Sequence, residues 1–265
     1  MDMYVPPTHA DHRRLKLSVM KNICVQNYRK AISLFCFNRM AIGLAATLLM
    51  ALLAPVTHGV TTYNTGAGIL YTLKVVKDVA LERSYTNHNN LIYLMVSKHP
   101  QYPNKRSLVQ FENLPTSCSA CNIKSAKMYL YYRYAHKASW HSIYRSPFIP
   151  RYMQAHLVKK YWVETQATST KRYSSASWSA PWLALDGSDA EPEPQDWNPV
   201  TIHPGRPAGF VEFDVTSAIK KWRGGVSNYG LVIRAVNELQ AGRGIRFYSN
   251  KYSDARKHAY VQVLC

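Results

Sequence analysis

Carboxylates are scarce in this chain. Its 265 residues hold 15 Asp+Glu against 33 Lys+Arg, a formal net charge of +18. An imbalance of that size calls for an anionic partner: nucleic acid, an anionic membrane or an acidic polysaccharide. Glycine is also scarce, 12 in all and without a period of three, which excludes collagen. No repeat recurs at solenoid or propeller spacing. The sequence has no Asn-x-Ser/Thr triplet, so N-linked glycans are not expected. It also lacks GxSxG, HExxH, a P-loop and a strand-linked GxGxxG, which removes the common hydrolase, metalloprotease and nucleotide-binding readings. What remains is a chain that is 47% hydrophobic, enough for a real core and too much for wholesale disorder. Its 19 Tyr, 7 Phe and 6 Trp favour strands over helices.

Residues 41–56 (AIGLAATLLMALLAPV) carry no charge and follow Arg29, Lys30 and Arg39. A basic flank, an apolar run and small residues after it predict a signal peptide over 1–59, with cleavage after Gly59. Initiation at Met20 would give a more compact signal. The run is shorter than the ~20 residues that span a bilayer comfortably, so an uncleaved anchor is the alternative and no stable span is expected in the mature form. Residues 1–59 carry 7 Lys+Arg and 2 Asp+Glu, leaving 26 against 13, net +13. An exported protein seldom meets nucleic acid, so the expected partner is an anionic glycan or extracellular matrix, with no nucleic acid. Cys24 and Cys36 leave with the signal, while Cys118, Cys121 and Cys265 remain. Cys118-Ser-Ala-Cys121 has no second Cys/His pair nearby for a metal and does not open a helix after a strand as redox motifs do. A structural disulfide is expected, Cys118–Cys121 or one of these with Cys265. The leftover thiol would permit a disulfide-linked dimer.

Beyond residue 75 the chain reads as short strands. Segments 126–132, 210–215, 230–236, 245–249 and 259–264 alternate or run apolar, and 75–81, 91–96 and 107–111 are shorter candidates. Pro103-Asn104, Pro204-Gly205 and Gly224-Gly225 punctuate them. Many short strands without long amphipathic helices predict an all-β, antiparallel, jelly-roll-like sandwich over 75–265, preceded by a lead-in at 60–74. One short helix is expected near 214–223, capped by Asp214 and Thr216, with Ile219 and Trp222 inward and Lys220, Lys221 and Arg223 wet. Residues 186–196 gather Asp186, Asp189, Glu191, Glu193 and Asp196 in a Pro-rich loop. Clustered carboxylates suit calcium, but the spacing is not that of an EF-hand, and a solvated loop is expected. His136, His141 and His156 match no i, i+4 ligand pair, so neither a metal nor a cofactor is expected.

Several phrases in order carry a family resemblance. They are Lys77-Asp-Val-Ala-Leu81 with Asn87 to Asn90; Lys105-Arg-Ser-Leu-Val-Gln-Phe111; Ile123-Lys-Ser-Ala-Lys-Met-Tyr-Leu130; and Trp162-Val-Glu-Thr-Gln-Ala-Thr168. Val211-Glu-Phe-Asp-Val-Thr216 through Trp222, Asn228-Tyr-Gly-Leu231, Phe247-Tyr-Ser-Asn250 and Tyr260-Val-Gln-Val263 complete the set. Together they resemble the DNRLRE domain, carbohydrate-binding module family 96, over about 75–264. Ser169 stands where the family often has Trp, and Ala259 where Pro is common. Most of these residues read as core or caps. The resemblance implies polysaccharide binding, including acidic polysaccharide. From the residues themselves, 171–182 (KRYSSASWSAPW) is the expected site: Lys171 and Arg172 for carboxylate or sulfate, and Tyr173, Trp178 and Trp182 as planar surfaces for sugar rings. The reading is therefore a secreted, non-catalytic carbohydrate-binding module for an anionic polysaccharide. The alternatives are a matrix or adhesion protein without a discrete glycan site, and a polysaccharide lyase or hydrolase built on the same fold.

Overall fold

The computed structural model describes residues 60–82, 86–99, 102–135, 151–203, 205–236, 238 and 244–265. The apolar run, the cleavage expected after Gly59, and His136 and His141 lie outside these residues. Among the described residues no helix is long and apolar enough to cross a membrane.

The chain is an all-β antiparallel sandwich with one short helix. Its strands are β1 (Thr61–Thr65), β2 (Gly68–Leu81), β3 (Tyr93–His99), β4 (Tyr102–Phe111), β5 (Ser125–Ala135), β6 (Arg151–Leu157), β7 (Lys171–Tyr173), β8 (Ala176–Ser177), β9 (Val200–Ile202), β10 (Gly209–Asp214), β11 (Leu231–Ala235), β12 (Ile245–Tyr248) and β13 (Tyr260–Leu264). The hydrogen-bonded path runs β1-β2-β13-β5-β12-β3-β4-β11-β6-β9, with β10 on β5 and a further β2–β4 pairing. The path folds into two layers because β2 changes partner. Its first half pairs β13 (Leu73 with Val261) and its second half pairs β4 (Val79 with Leu108). The register slips between Val75 and Lys77, and such a bulge bends and twists a strand enough to carry it from one sheet to the next. Residues 60–74, expected as a lead-in, are thus mostly strand within the sandwich.

Period-two patterning decides which side chains enter the core. On β5, Ala126, Met128, Leu130 and Tyr132 are buried, while Lys127, Tyr129, Tyr131 and Arg133 point the other way. Leu73, Met128, Phe213, Phe247 and Val261 from one layer meet Val109, Phe111, Met153, Leu157, Leu231 and Ile233 from the other. Gly230 sets the start of β11. Its φ is +84°, and a Cβ there would lie 2.1 Å from the Val109 carbonyl oxygen, so only glycine permits this close approach to β4. Helix α1 (Thr216–Arg223) buries Ala218 and Ile219, and Trp222 packs half-buried on the core. Asp214 accepts from the Thr216 N–H, while the Thr216 hydroxyl binds back to the Ala126 backbone and so pins the helix to β5.

A disulfide joins Cys118, on the β4–β5 loop, to Cys265 after β13. This selects one of the pairings the sequence leaves open. Cys121 is disulfide-bonded as well.

Candidate functional site

The segment after β6 builds a third layer. The outward face of the second sheet offers Val79, Leu81, Leu108 and Val232, all apolar. Residues 158–190 fold over it with Val158, Trp162, Ala167, Trp178, Leu183 and Ala190, forming a second apolar cluster. Trp162 is 1% exposed, and its indole N–H reaches the Tyr229 carbonyl at 2.8 Å. Asn87 donates to the carbonyls of Glu164 and Ala167. Glu164 accepts from the Asp78 N–H and the Lys251 ammonium at 3.1 Å. The phrase Trp162-Val-Glu164-Thr-Gln-Ala167-Thr168 is thus a clasp between this layer and β2.

This placement corrects part of the expected site. Trp178 does not present a face to solvent: it is 5% exposed, and its indole N–H donates to the Thr168 carbonyl. Its neighbours in sequence are Ser and Ala, but the surface it covers is the outside of a sheet whose outer residues are also apolar. Trp182 is half-buried beside the same cluster with φ at +63°, and Leu183 follows at +71°. Two successive non-glycine residues in the left-handed region are strained. Arg106 holds the turn by donating to both carbonyls at 2.9 and 2.6 Å. Trp178 therefore belongs to the cover, and Trp182 packs partly buried against it.

Lys171, Arg172 and Tyr173 do reach the surface, on the small β7–β8 hairpin. Tyr173 lies 6.1 Å from Tyr161, which is 48% exposed and 6.2 Å from Tyr229. The Arg172 guanidinium sits 4.7 Å from the Tyr173 ring centre and donates to the Tyr161 carbonyl, while the Lys77 ammonium sits 5.4 Å from that of Tyr161. No ion pair joins Lys77, Lys171 or Arg172 to a carboxylate among the described residues. The result is a shallow wall of tyrosine rings edged by unneutralised cations. It can stack on flat apolar sugar faces while donating to carboxylate or sulfate oxygens. Tyr161 escaped the sequence reading although Lys159-Lys160-Tyr161 is itself a basic–aromatic phrase. Lys77 and Tyr229 arrive from β2 and the start of β11, and only the sheet register brings them here.

The basic group on α1 is largely occupied. Lys221 pairs with Glu191 at 2.5 Å, and Arg223 caps the carbonyls of Cys118 and Thr116. The acidic loop is built rather than loose. Asp189 is buried and accepts from the Ser179 N–H and hydroxyl and the Ala184 N–H. Asp186 accepts from Ser188, and Asp196 from Asn198. Among the described residues no group of three or more His, Cys, Asp or Glu is arranged to hold a metal.

Two buried groups are perturbed. Burial pushes the Asp78 carboxyl up to about 7, against the Asn250 N–H that holds it down, with Glu164 adding to the rise and Lys251 opposing it. Burial pulls His156 down to about 4, opposed by its bond to the Glu191 carbonyl. A carboxyl whose folded pKa is raised gives stability that is complete below its unfolded value. That stability is lost as pH climbs through the folded value. His156 does the reverse, giving stability present above its ordinary value and lost as pH falls toward about 4. Asp78→Asn copies the protonated acid, so the variant should match the wild-type stability near pH 4, of order the free carboxyl pKa, and exceed it increasingly up to the folded value of about 7. Urea midpoints across that range check this; an offset constant with pH would contradict it.

No family model matches the chain, and no curated protein matches it in sequence.

Proposed function

We propose that this chain is a secreted, non-catalytic module that binds anionic polysaccharide through Tyr161, Tyr173, Arg172, Lys171 and Lys77. The observation that carries the reading is the Tyr161–Tyr173 wall with Arg172 and Lys77 set against the rings and no carboxylate paired to either cation. The disulfide agrees with an oxidising compartment, and the net positive charge agrees with an acidic ligand. The resemblance to carbohydrate-binding module family 96 points the same way, since its phrases here form the clasp and core that support the wall.

The test uses dextran sulfate, alginate and neutral dextran, each at low and high salt. The two anionic polymers should bind and neutral dextran should not. Binding should weaken steeply between 0.1 M and 1 M salt, as the screening length shrinks from about 10 to about 3 Å. Tyr173→Ala with Arg172→Ala should lower affinity at least tenfold, of the order of two lost contacts of this kind. Equal binding of dextran and dextran sulfate would reject an anionic ligand, and full binding by the double variant would reject this wall.

A further inference from the structure

The opposite outer face of the sandwich, on the first sheet, carries a second and larger set of rings. Outward residues of β5, β10, β12 and β13 meet there. Tyr129 stacks on Tyr260 with centroids 4.9 Å apart, and Phe210 stands edge-on to Tyr131 at 5.0 Å and to Tyr260 at 5.2 Å. Tyr248 stacks on Tyr252 at 3.7 Å. A core does not explain these side chains, because the inward residues of the same strands already fill it. Tyr129, Tyr131, Phe210, Tyr252 and Tyr260 all keep part of their surface in solvent.

Cations ride on these rings. The Lys257 ammonium lies 5.6 Å from the Tyr131 centroid and 5.4 Å from that of Tyr252. The Arg133 guanidinium lies 5.5 Å from the Tyr248 ring, and Arg246 lies 4.2 Å from Tyr93. Asp254 is shared between Arg256 at 2.9 Å and Lys257 at 3.5 Å, and Glu212 pairs with Lys127. Arg133 and Arg246 join no ion pair among the described residues. The face is therefore positive and ring-lined, like the wall on the second sheet, and the two look outward from different sheets: Tyr131 on β5 points away from the core shared with β4, and Lys77 lies on the outward side of the second sheet, paired with Gln110.

We infer that this face is a second binding surface for the same class of anionic polysaccharide, so that one chain holds two polysaccharide strands and crosslinks them. The inference rests on the function proposed above. A short stretch of polymer that fills one outward-facing site cannot reach the other, so at high polymer concentration the two sites are filled by separate strands, which bridges them. Charge complementarity selects the occupant: lone guanidinium groups beside exposed ring edges suit sulfate or uronate groups on a sugar chain.

The experiment titrates the full secreted chain, confirmed as monomer by light scattering, with a short sulfated oligosaccharide and with long dextran sulfate. Calorimetry with the short probe should give two sites per chain. With the long polymer, turbidity should peak at an intermediate ratio and clear in polymer excess. Arg133→Ala with Lys257→Ala should leave one site and cut peak turbidity at least tenfold, and Arg172→Ala with Tyr173→Ala should do the same from the other side. Charge-reversed Lys257→Glu, with wild-type thermal unfolding, guards against loss by misfolding. One site per chain in the wild type, or unchanged turbidity in the Arg133/Lys257 variant, overturns the inference and leaves the first wall standing. No binding of any anionic probe overturns the proposed function and this inference together.

Discussion

Replacing Cys118 and Cys265 together with alanine is expected to lower the unfolding free energy by about 5 kcal/mol, the chain-entropy value for a loop of this size. The bond joins positions 147 residues apart, and the stabilisation grows with the loop that an unfolded chain must keep closed. The linkage is also placed where the fold closes. Leu264 accepts from the Lys124 N–H, Cys265 exchanges backbone hydrogen bonds with Ile69, and Cys118 itself lies in the main core. The double variant avoids an unmatched thiol from this pair. With a urea slope of about 2–3 kcal/mol per molar for a domain of this size, the midpoint should fall by roughly 2 M. A fall under about 0.5 M would show that the unfolded chain is already held compact without the bond.

Arg106→Ala should cost about 4 kcal/mol, in the range for breaking a buried charge pair. Arg106 forks onto both Glu238 carboxylate oxygens at 2.7 Å, and both side chains are almost wholly shielded. Its third nitrogen supports the carbonyls of Trp182 and Leu183, the two residues in the left-handed region. Removing it takes the bidentate fork from a shielded carboxylate and the donor from two carbonyls of a strained turn at once. Lysine should recover little, because one ammonium cannot fork onto a carboxylate and two carbonyls. Arg106→Met with Glu238→Met should lose less than Arg106→Ala alone, since no charge is left behind. The loss should appear first as protease cutting within 178–190, ahead of global unfolding. Equal protection of that segment in Arg106→Ala and the wild type would refute the role.

Strand alternation carried the fold. Where apolar residues face the core and polar ones face water, as along β5 and β10, the sequence pattern and the sheet agree. The pattern failed where both faces are covered. Strand β6, Arg151–Leu157 (RYMQAHL), lacks a clean alternation in sequence, because Arg151, Tyr152 and His156 blur the apolar set Met153, Ala155 and Leu157. Residues 158–190 are a cover of turns around the small β7–β8 hairpin, and in such a segment composition does not say which side chains turn inward. Trp178 and Tyr161 make the point together: the tryptophan among small polar residues is buried, and the tyrosine beside the buried Trp162 is exposed. For the candidate site, Lys171, Arg172 and Tyr173 were legible because they are contiguous and polar. Lys77 and Tyr229 were not, because they reach the wall through strand register across 152 residues of chain, a separation that local patterns do not encode. The opposite ring-lined face was hidden for the same reason, its members coming from four strands.

The last strand of the sandwich in chain order, β13, is not at an edge. It lies between β2 and β5, pairing Leu73 with Val261 on one side and Met128 with Val261 on the other. Until Tyr260–Leu264 emerge from the ribosome, β2 and β5 have no partner for those backbone groups, and neither half of the first sheet can settle. From the synthesis of β5 until that of β13 the nascent chain thus carries two open strand edges, rich in tyrosine and prone to pair with neighbours. Closure of the first sheet waits for β13, so folding of the sandwich is governed by Tyr260–Leu264 and by whatever shields those edges beforehand.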